Sequence, residues 1–181
     1  MRKIRLFIAM SLDGYLADAQ GGVDWLNGQG DGEELLDSYG EFVKQVDTVV
    51  MGWNTYHQIV TELSPEEWVY GDLTSYVVTH RDCPSTEDIR FTREDPCCLV
   101  KRLQETEGKD IWICGGAKII QQLVREDLID EYYISVIPML LGEGIRLFGE
   151  SRRRIPLRLV KTQSYDGIMD LIYARRHMDK E

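Results

Sequence analysis

The sequence has little of what staples, anchors or segments a protein. Among its 181 residues there are only 4 cysteines, 3 histidines and 5 prolines. Cys83, Cys97, Cys98 and Cys114 contain no C-x-x-C pair and share no ligand spacing with His57, His80 or His177, which argues against a structural zinc site. No Pro/Gly-rich linker, internal repeat or low-complexity tract divides the chain. No run approaches the ~18 apolar residues a membrane helix requires, so a membrane span is not expected. The apolar start, Ile4 to Met10, is too short for a secretory leader and runs into Ser11-Leu12-Asp13-Gly14 without a small-residue cleavage pattern. A reduced, cytoplasmic protein follows. Positive charge is scarce too: 21 Lys+Arg against 31 Asp+Glu leave a formal net charge of −10. That balance argues against a general nucleic-acid binder, whose affinity rests on neutralising phosphates. It leaves room for an anionic small molecule held by a local positive field.

What is present is ordinary globular material. Hydrophobic residues make up 43% of the chain, and a chain of this length buries roughly 70% of its unfolded surface without covalent help. A single domain over 1–181 is expected. Strand patterns fall at Ile4–Met10, Thr48–Met51, Ser75–Thr79, Ile111–Cys114, Glu131–Ile137, Leu157–Ser164 and Ile168–Arg176. Helical patterns lie between them at Glu33–Val46, Asn54–Thr61, Pro96–Glu107 and Ala117–Glu126. In the first, Leu35, Leu36, Tyr39, Phe42, Val43 and Val46 form one apolar stripe. Pro96 suits a first helical turn, and Cys97 and Cys98 are expected as a reduced pair within that helix. Alternating strands and helices imply crossover connections and a mainly parallel sheet. Asp166-Gly167 between the last two strands is a two-residue hairpin signal, so the tail is expected to run antiparallel.

Four segments carry candidate chemistry. In Ile111-Trp112-Ile113-Cys114-Gly115-Gly116-Ala117-Lys118-Ile119 a buried strand ends in two glycines and a helix starts at once. Glycines allow close backbone approach, and the free N–H groups of a helix start favour an anion. The same residues can also form a plain strand-to-helix turn. Val49-Val50-Met51-Gly52-Trp53-Asn54-Thr55 repeats the arrangement, with Asn54 or Thr55 available as a cap. Thr79, His80 and Arg81 follow a third strand, although Arg81 could instead form a surface pair with Asp82. Last, Ala9 to Ala17 and Gly21 to Leu26 lead from the first strand into a long glycine-containing loop, where Asp13-Gly14 is otherwise a turn and Trp25 an anchor. Their shared position beyond strand ends is where open α/β sheets bind ligands.

In this order, "FIAMSLDGYLA", "VDWL", "VDTVVMGWNTY", "YVVTHR", "IWICGGAKIIQQL" and "YYISVIPMLLGEGIRLF" resemble the dihydrofolate reductase-like superfamily. The likeness is to its bacterial branch related to the C-terminal reductase domain of bifunctional riboflavin-biosynthesis (RibD-type) proteins. The resemblance covers nearly the whole chain. It implies a three-layer α/β fold, with a mixed, mostly parallel sheet, an antiparallel C-terminal hairpin and helices on both faces. It implies NADPH as hydride donor, with NADH as the alternative, and a small heterocyclic substrate. Ala9 and Leu16 would line the nicotinamide side. Gly52, Trp53, Asn54 and Thr55 would meet the adenosine and phosphate portion, and Thr79, His80 and Arg81 the adenine-ribose end. Gly115, Gly116, Ala117, Lys118 and Ile119 would cradle the diphosphate, with a cis peptide between the two glycines. Relatives often form homodimers through the final strands.

Two departures from the family pattern matter. Many relatives have arginine after the Met-Gly pair, where this chain has Trp53, so preference for NADPH over NADH either falls to Arg81 or is weakened. The helix carboxylate of true dihydrofolate reductases maps at or near Ser38. Asp37 and Glu41 point away from the apolar stripe and are expected in solvent, which argues against folate as substrate. An NAD(P)H-dependent reductase of a pyrimidine-like or pteridine-like substrate is the first reading. A dinucleotide- or ligand-binding protein without turnover is the second, and an interaction protein whose glycine turns are only turns is the third.

Overall fold

The computed structural model describes residues 1–30 and 37–176. Ten strands are present: β1 Ile4–Ser11, β2 Tyr15–Ala17, β3 Val46–Gly52, β4 Thr74–Val78, β5 Ile89–Thr92, β6 Asp110–Gly115, β7 Glu131–Ile137, β8 Ile145–Arg146, β9 Leu157–Tyr165 and β10 Ile168–Arg175. The helices are α1 Ser38–Val43, α2 Trp53–Gln58, α3 Pro96–Gln104 and α4 Ala117–Arg125, with a π-helical turn at Ile59–Leu63 continuing α2. Eight strands form one sheet in the order β5-β4-β3-β6-β1-β7-β10-β9, while β2 and β8 form a separate antiparallel pair. Pairing is parallel from β5 through β7, and β10 and β9 then run antiparallel. This is the expected mixed sheet. Asp166 and Gly167 both have positive φ, the backbone of a type I′ hairpin turn.

Alternation along the strands divides the core into two layers. Ile4, Leu6, Val50, Ile111 and Ile113 pack under Leu99, Val100 and Leu103 of α3 and Ile119, Ile120 and Leu123 of α4. On the other face Val49, Met51, Val77 and Trp112 pack with Phe42 of α1 and with Ile59, Trp53 and Tyr56. α3 and α4 therefore each have one buried stripe and one wet face, while α1 buries only Phe42 and α2 packs with half-buried aromatic side chains.

Several expected boundaries shift. Of the helix expected at Glu33–Val46, residues 33–36, Leu35 and Leu36 among them, lie outside the described residues. The rest is shorter: Asp37 caps it by accepting from Gly40 N–H at 2.8 Å, and Val46 already belongs to β3. The stripe continued past the true end because Val46 is buried in the adjoining strand. The helix expected at Asn54–Thr61 starts one residue earlier, and neither Asn54 nor Thr55 caps it. Gly52 is its N-cap, with no side-chain bond. Strands β2, β5 and β8 have only 3, 4 and 2 residues, too short to give a period. The four cysteines are free, including the adjacent Cys97 and Cys98. Among the described residues no helix is long and apolar enough to cross a membrane.

Candidate functional site

The carboxyl ends of β1, β3, β4 and β6 converge, as their parallel pairing requires. At the centre β6 ends in Gly115, joined to Gly116 by a cis peptide bond. Gly115 has φ +146, a conformation glycine adopts freely and L-residues rarely do. Gly116 is the N-cap of α4 and offers no side-chain cap. Its carbonyl accepts the N–H groups of Ile119 and Ile120 at 3.1 and 3.2 Å, so the N–H groups of Ala117 and Lys118 are the ones that face outward from the helix start. The side chain of Ile119 is core, and its Cδ1 lies against Gly52.

Close approach holds the two glycine turns together. A β-carbon on Gly115 or Gly116 would stand 3.2 Å from Thr55 Oγ1, and one on Gly52 would stand 3.7 Å from the Gly116 nitrogen. The three glycines therefore line a seam walled by backbone, the Thr55 side chain and the ends of Ile8 and Ile119.

Beyond β4, Thr79 is buried, and its hydroxyl accepts the Arg81 N–H at 3.1 Å. That bond turns Arg81 back over the sheet end. Its guanidinium lies over the Trp53 ring, 4.8 Å from the ring centre. Asp82, the sequence neighbour that offered an alternative partner, is instead paired with Arg93. Trp53 also contacts His57 and Phe91. Asn54, His80 and Lys118 are exposed along the same rim. Leu16 is partly buried and packs against the core.

The loop after β1 is pinned by Asp13, which accepts from Ser11 Oγ at 2.6 Å and from the N–H groups of Leu141 and Gly142 at 3.2 and 2.8 Å. These bonds, the Ser11 hydroxyl first, hold its carboxyl down to about 2. Trp25 is buried, and its Nε1 donates to the Gly22 carbonyl at 3.1 Å. Both residues thus fasten the loop, and the turn and anchor readings of the sequence were correct.

The face of the sheet under α1 carries a feature the sequence did not reveal. Ala9, Ser135 and Asp170 occupy one cross-strand row on β1, β7 and β10. Asp170 is fully buried. Its Oδ1 accepts Ser135 Oγ at 2.6 Å, while its Oδ2 accepts Tyr133 Oη at 2.8 Å and Ser38 Oγ and Gln163 Nε2 at 2.9 Å each. Burial, reinforced by the neighbouring carboxylate, pushes the Tyr133 phenol well above its ordinary value. Ser38, Tyr133 and Gln163 also wall a cleft of about 420 Å³ between α1 and β9–β10. On the other flank of the same face, Tyr70 Oη and Cys114 Sγ lie 3.6 Å apart, and burial pushes the Cys114 thiol up to about 11. Asp37 and Glu41 are exposed, as expected: one caps α1 and the other pairs with Lys44. Among the described residues no cluster of three or more His, Cys, Asp or Glu could hold a metal ion.

A mainly parallel sheet closed by an antiparallel hairpin, with a cis diglycine turn at its centre, defines a dihydrofolate reductase-like fold. Residues 2–170 match the RibD C-terminal domain model, and the chain belongs to that reductase-like family. The "Uncharacterized protein YwjB" of Bacillus subtilis (strain 168) is 39% identical over 180 residues, covering 96% of this chain and 98% of its own. A crystal structure of a putative riboflavin biosynthesis protein from Shewanella sp. PV-4 superposes with TM-score 0.82 at 28% identity, covering 97% of this chain and 99% of that one. Dihydrofolate reductase from Enterococcus faecalis, complexed with NADP(H), shares the fold at TM-score 0.64 and 16% identity, covering 97% of each chain.

Proposed function

We propose that this protein is an NAD(P)H-dependent reductase that transfers a hydride to a small pyrimidine-like or pteridine-like heterocycle, with NADPH the preferred donor. The observation that carries the reading is the glycine seam. Gly115 and Gly116 meet Thr55 so closely that side chains would fill the space, and α4 opens above them without a side-chain cap. Such a cradle suits a diphosphate, because uncapped N–H groups and the helix dipole favour an anion. The donor set fits the cofactor: Gly116, Ala117 and Lys118 for the diphosphate, Gly52 to Thr55 for the adenosine portion, and Arg81 with Thr79 and His80 for the ribose end. When bound, the nicotinamide would supply the hydride, the protein supplying orientation and exclusion of water. Ala9 and Leu16 would lie on the nicotinamide side, where a small residue at position 9 leaves room for a flat ring. The carbonyl of Gly116 fixes the first turn of α4, so the cradle is set before ligand arrives.

A second reading, dinucleotide binding without turnover, is favoured by one observation: among the described residues of α1 and its cap no carboxylate is buried, Asp37 and Glu41 both being solvent-exposed. The reductase reading predicts that millimolar NADPH raises the melting temperature and that flavin does not. No shift with NADPH or NADH overturns the cofactor assignment. A shift without loss of nicotinamide absorbance, across a panel of pyrimidines and pteridines, favours the second reading.

The same proposal includes assembly and location. The edge strand β9 exposes Leu157, Leu159 and Val160, and Met169 is exposed on β10. An edge strand with one side unpaired and three exposed apolar side chains is a poor surface to leave in water, and we assign it to a homodimer of a cytoplasmic protein.

A further inference from the structure

We propose that Asp170 is the positioning residue of the substrate side of the site, acting through Ser38 and Gln163 to make that wall a hydrogen-bond acceptor surface. The proposal rests on the reductase reading, which places a ring over Ala9. From Ala9 the cross-strand row runs to Ser135 and then to Asp170, and α1 brings Ser38 down onto the same carboxylate.

Hydrogen-bond polarity follows from counting donors. A carboxylate accepts and does not donate. Asp170 takes the O–H of Ser38, of Tyr133 and of Ser135, together with an N–H of Gln163. The Gln163 amide nitrogen also lies 2.8 Å from both Ser38 Oγ and Tyr133 Oη, so its hydrogens are committed inside the cluster. No described residue bonds its Oε1. Asp170 is fully buried, and Ser135 and Tyr133 nearly so, whereas Ser38 and Gln163 are half-buried and form the outer rim. What the rim retains for a ligand is therefore oxygen lone pairs: Ser38 Oγ and Gln163 Oε1. Such a wall selects a heterocycle that presents N–H donors and disfavours one that presents only acceptors, because an unmatched polar group at a buried contact is costly.

Replacing the carboxylate by an amide of the same shape tests this. Asp170→Asn places an N–H among four donors, and at least one hydroxyl must turn its hydrogen outward. The probes are 2,4-diaminopyrimidine, which has N–H donors, and 2,4-dimethoxypyrimidine, which has none, each titrated calorimetrically into the whole chain with and without NADPH. Wild-type protein is expected to prefer the diamino probe by about tenfold or more, in keeping with loss of one buried hydrogen bond. In Asp170→Asn that preference is expected to vanish while the dimethoxy probe binds within about twofold of wild type. Should Asp170→Asn fail to fold, Ser38→Ala on the half-buried rim removes one acceptor and is expected to reduce the same preference. A purely structural carboxylate would lower the melting temperature and weaken both probes alike. That result, or wild-type protein binding both probes equally or neither, overturns the proposal. NADPH affinity measured on the same samples separates the two readings: its absence in wild type fails the cofactor assignment, whereas its retention beside an unchanged probe ratio fails only the role of Asp170.

Discussion

The guanidinium of Arg81 lies over the indole of Trp53, 4.8 Å from the ring centre, although 28 residues of chain separate them. The pair joins the end of β4 to the start of α2. Trp53 carries no charge, and the cation beside it arrives from the end of β4. A stacked guanidinium keeps its N–H fork free for a phosphate while the indole fixes its plane.

Arg81→Ala is therefore expected to weaken NADPH by roughly tenfold or more, the scale of one charge-assisted hydrogen bond, and to leave NADH within about twofold. Titration by quenching of tryptophan fluorescence measures both. Equal weakening of the two cofactors would place the 2′-phosphate elsewhere.

Gly115 and Gly116 should fail differently. Gly115→Ala forces an L-residue into φ +146, a strain of order 1–3 kcal/mol, expected to lower the melting temperature by roughly 2–12 °C for a chain of this size. Gly116→Ala has an ordinary φ of −89 and meets only Thr55 Oγ1 at 3.2 Å. Its melting temperature should fall less, while NADPH affinity falls about tenfold because the methyl group intrudes on the seam. An unchanged affinity would return the diglycine to the status of a plain turn.

Asp13 ties the β1 loop to the segment at Leu141–Gly142, and its carboxyl is held down to about 2 from an ordinary 3.8. The folded state thus binds a proton less readily than the unfolded one. Its contribution to stability is complete above pH ~4 and is lost as pH falls toward 2, the sign expected for a depressed carboxylate. Melting curves of wild type and Asp13→Asn from pH 6 to 2 should converge at the acid end. Parallel curves would show that the loop is fastened by other contacts.

Light scattering should give a mass near twice 20.9 kDa if β9 pairs with a second copy. Leu159→Lys, at an exposed position of that strand, should shift the mass to the monomer value with the far-ultraviolet spectrum unchanged. A wild-type monomer refutes the dimer.

Much of the fold was legible because its signals are local. Short β-rich runs mark β1, β7 and β10, the Asp166-Gly167 pair names its own turn, and Pro96 follows Asp95, whose side chain accepts the Cys97 and Cys98 N–H groups. The two glycine turns were legible for the same reason: an apolar strand running into glycine and then a helix is one contiguous pattern. Boundaries failed where neighbouring elements share a face. Val46 extends the α1 stripe in sequence but lies in β3.

The buried carboxylate under α1 was invisible for a different reason. Read locally, Asp170 is one polar residue in an apolar hairpin strand, with nothing to distinguish it from a solvated position. Only the register of β10 on β7, and the descent of α1 from 132 positions away in sequence, bring it to Ser38, Tyr133 and Ser135. The longer elements, their order and the glycine turns could be read from sequence alone, because these depend on side-chain pattern and backbone freedom within a few residues, whereas the short strands β2, β5 and β8 could not. Tertiary structure alone decided which charge meets which partner, because hydrogen bonds form at about 3 Å and only the folded register brings residues from opposite ends of the chain that close.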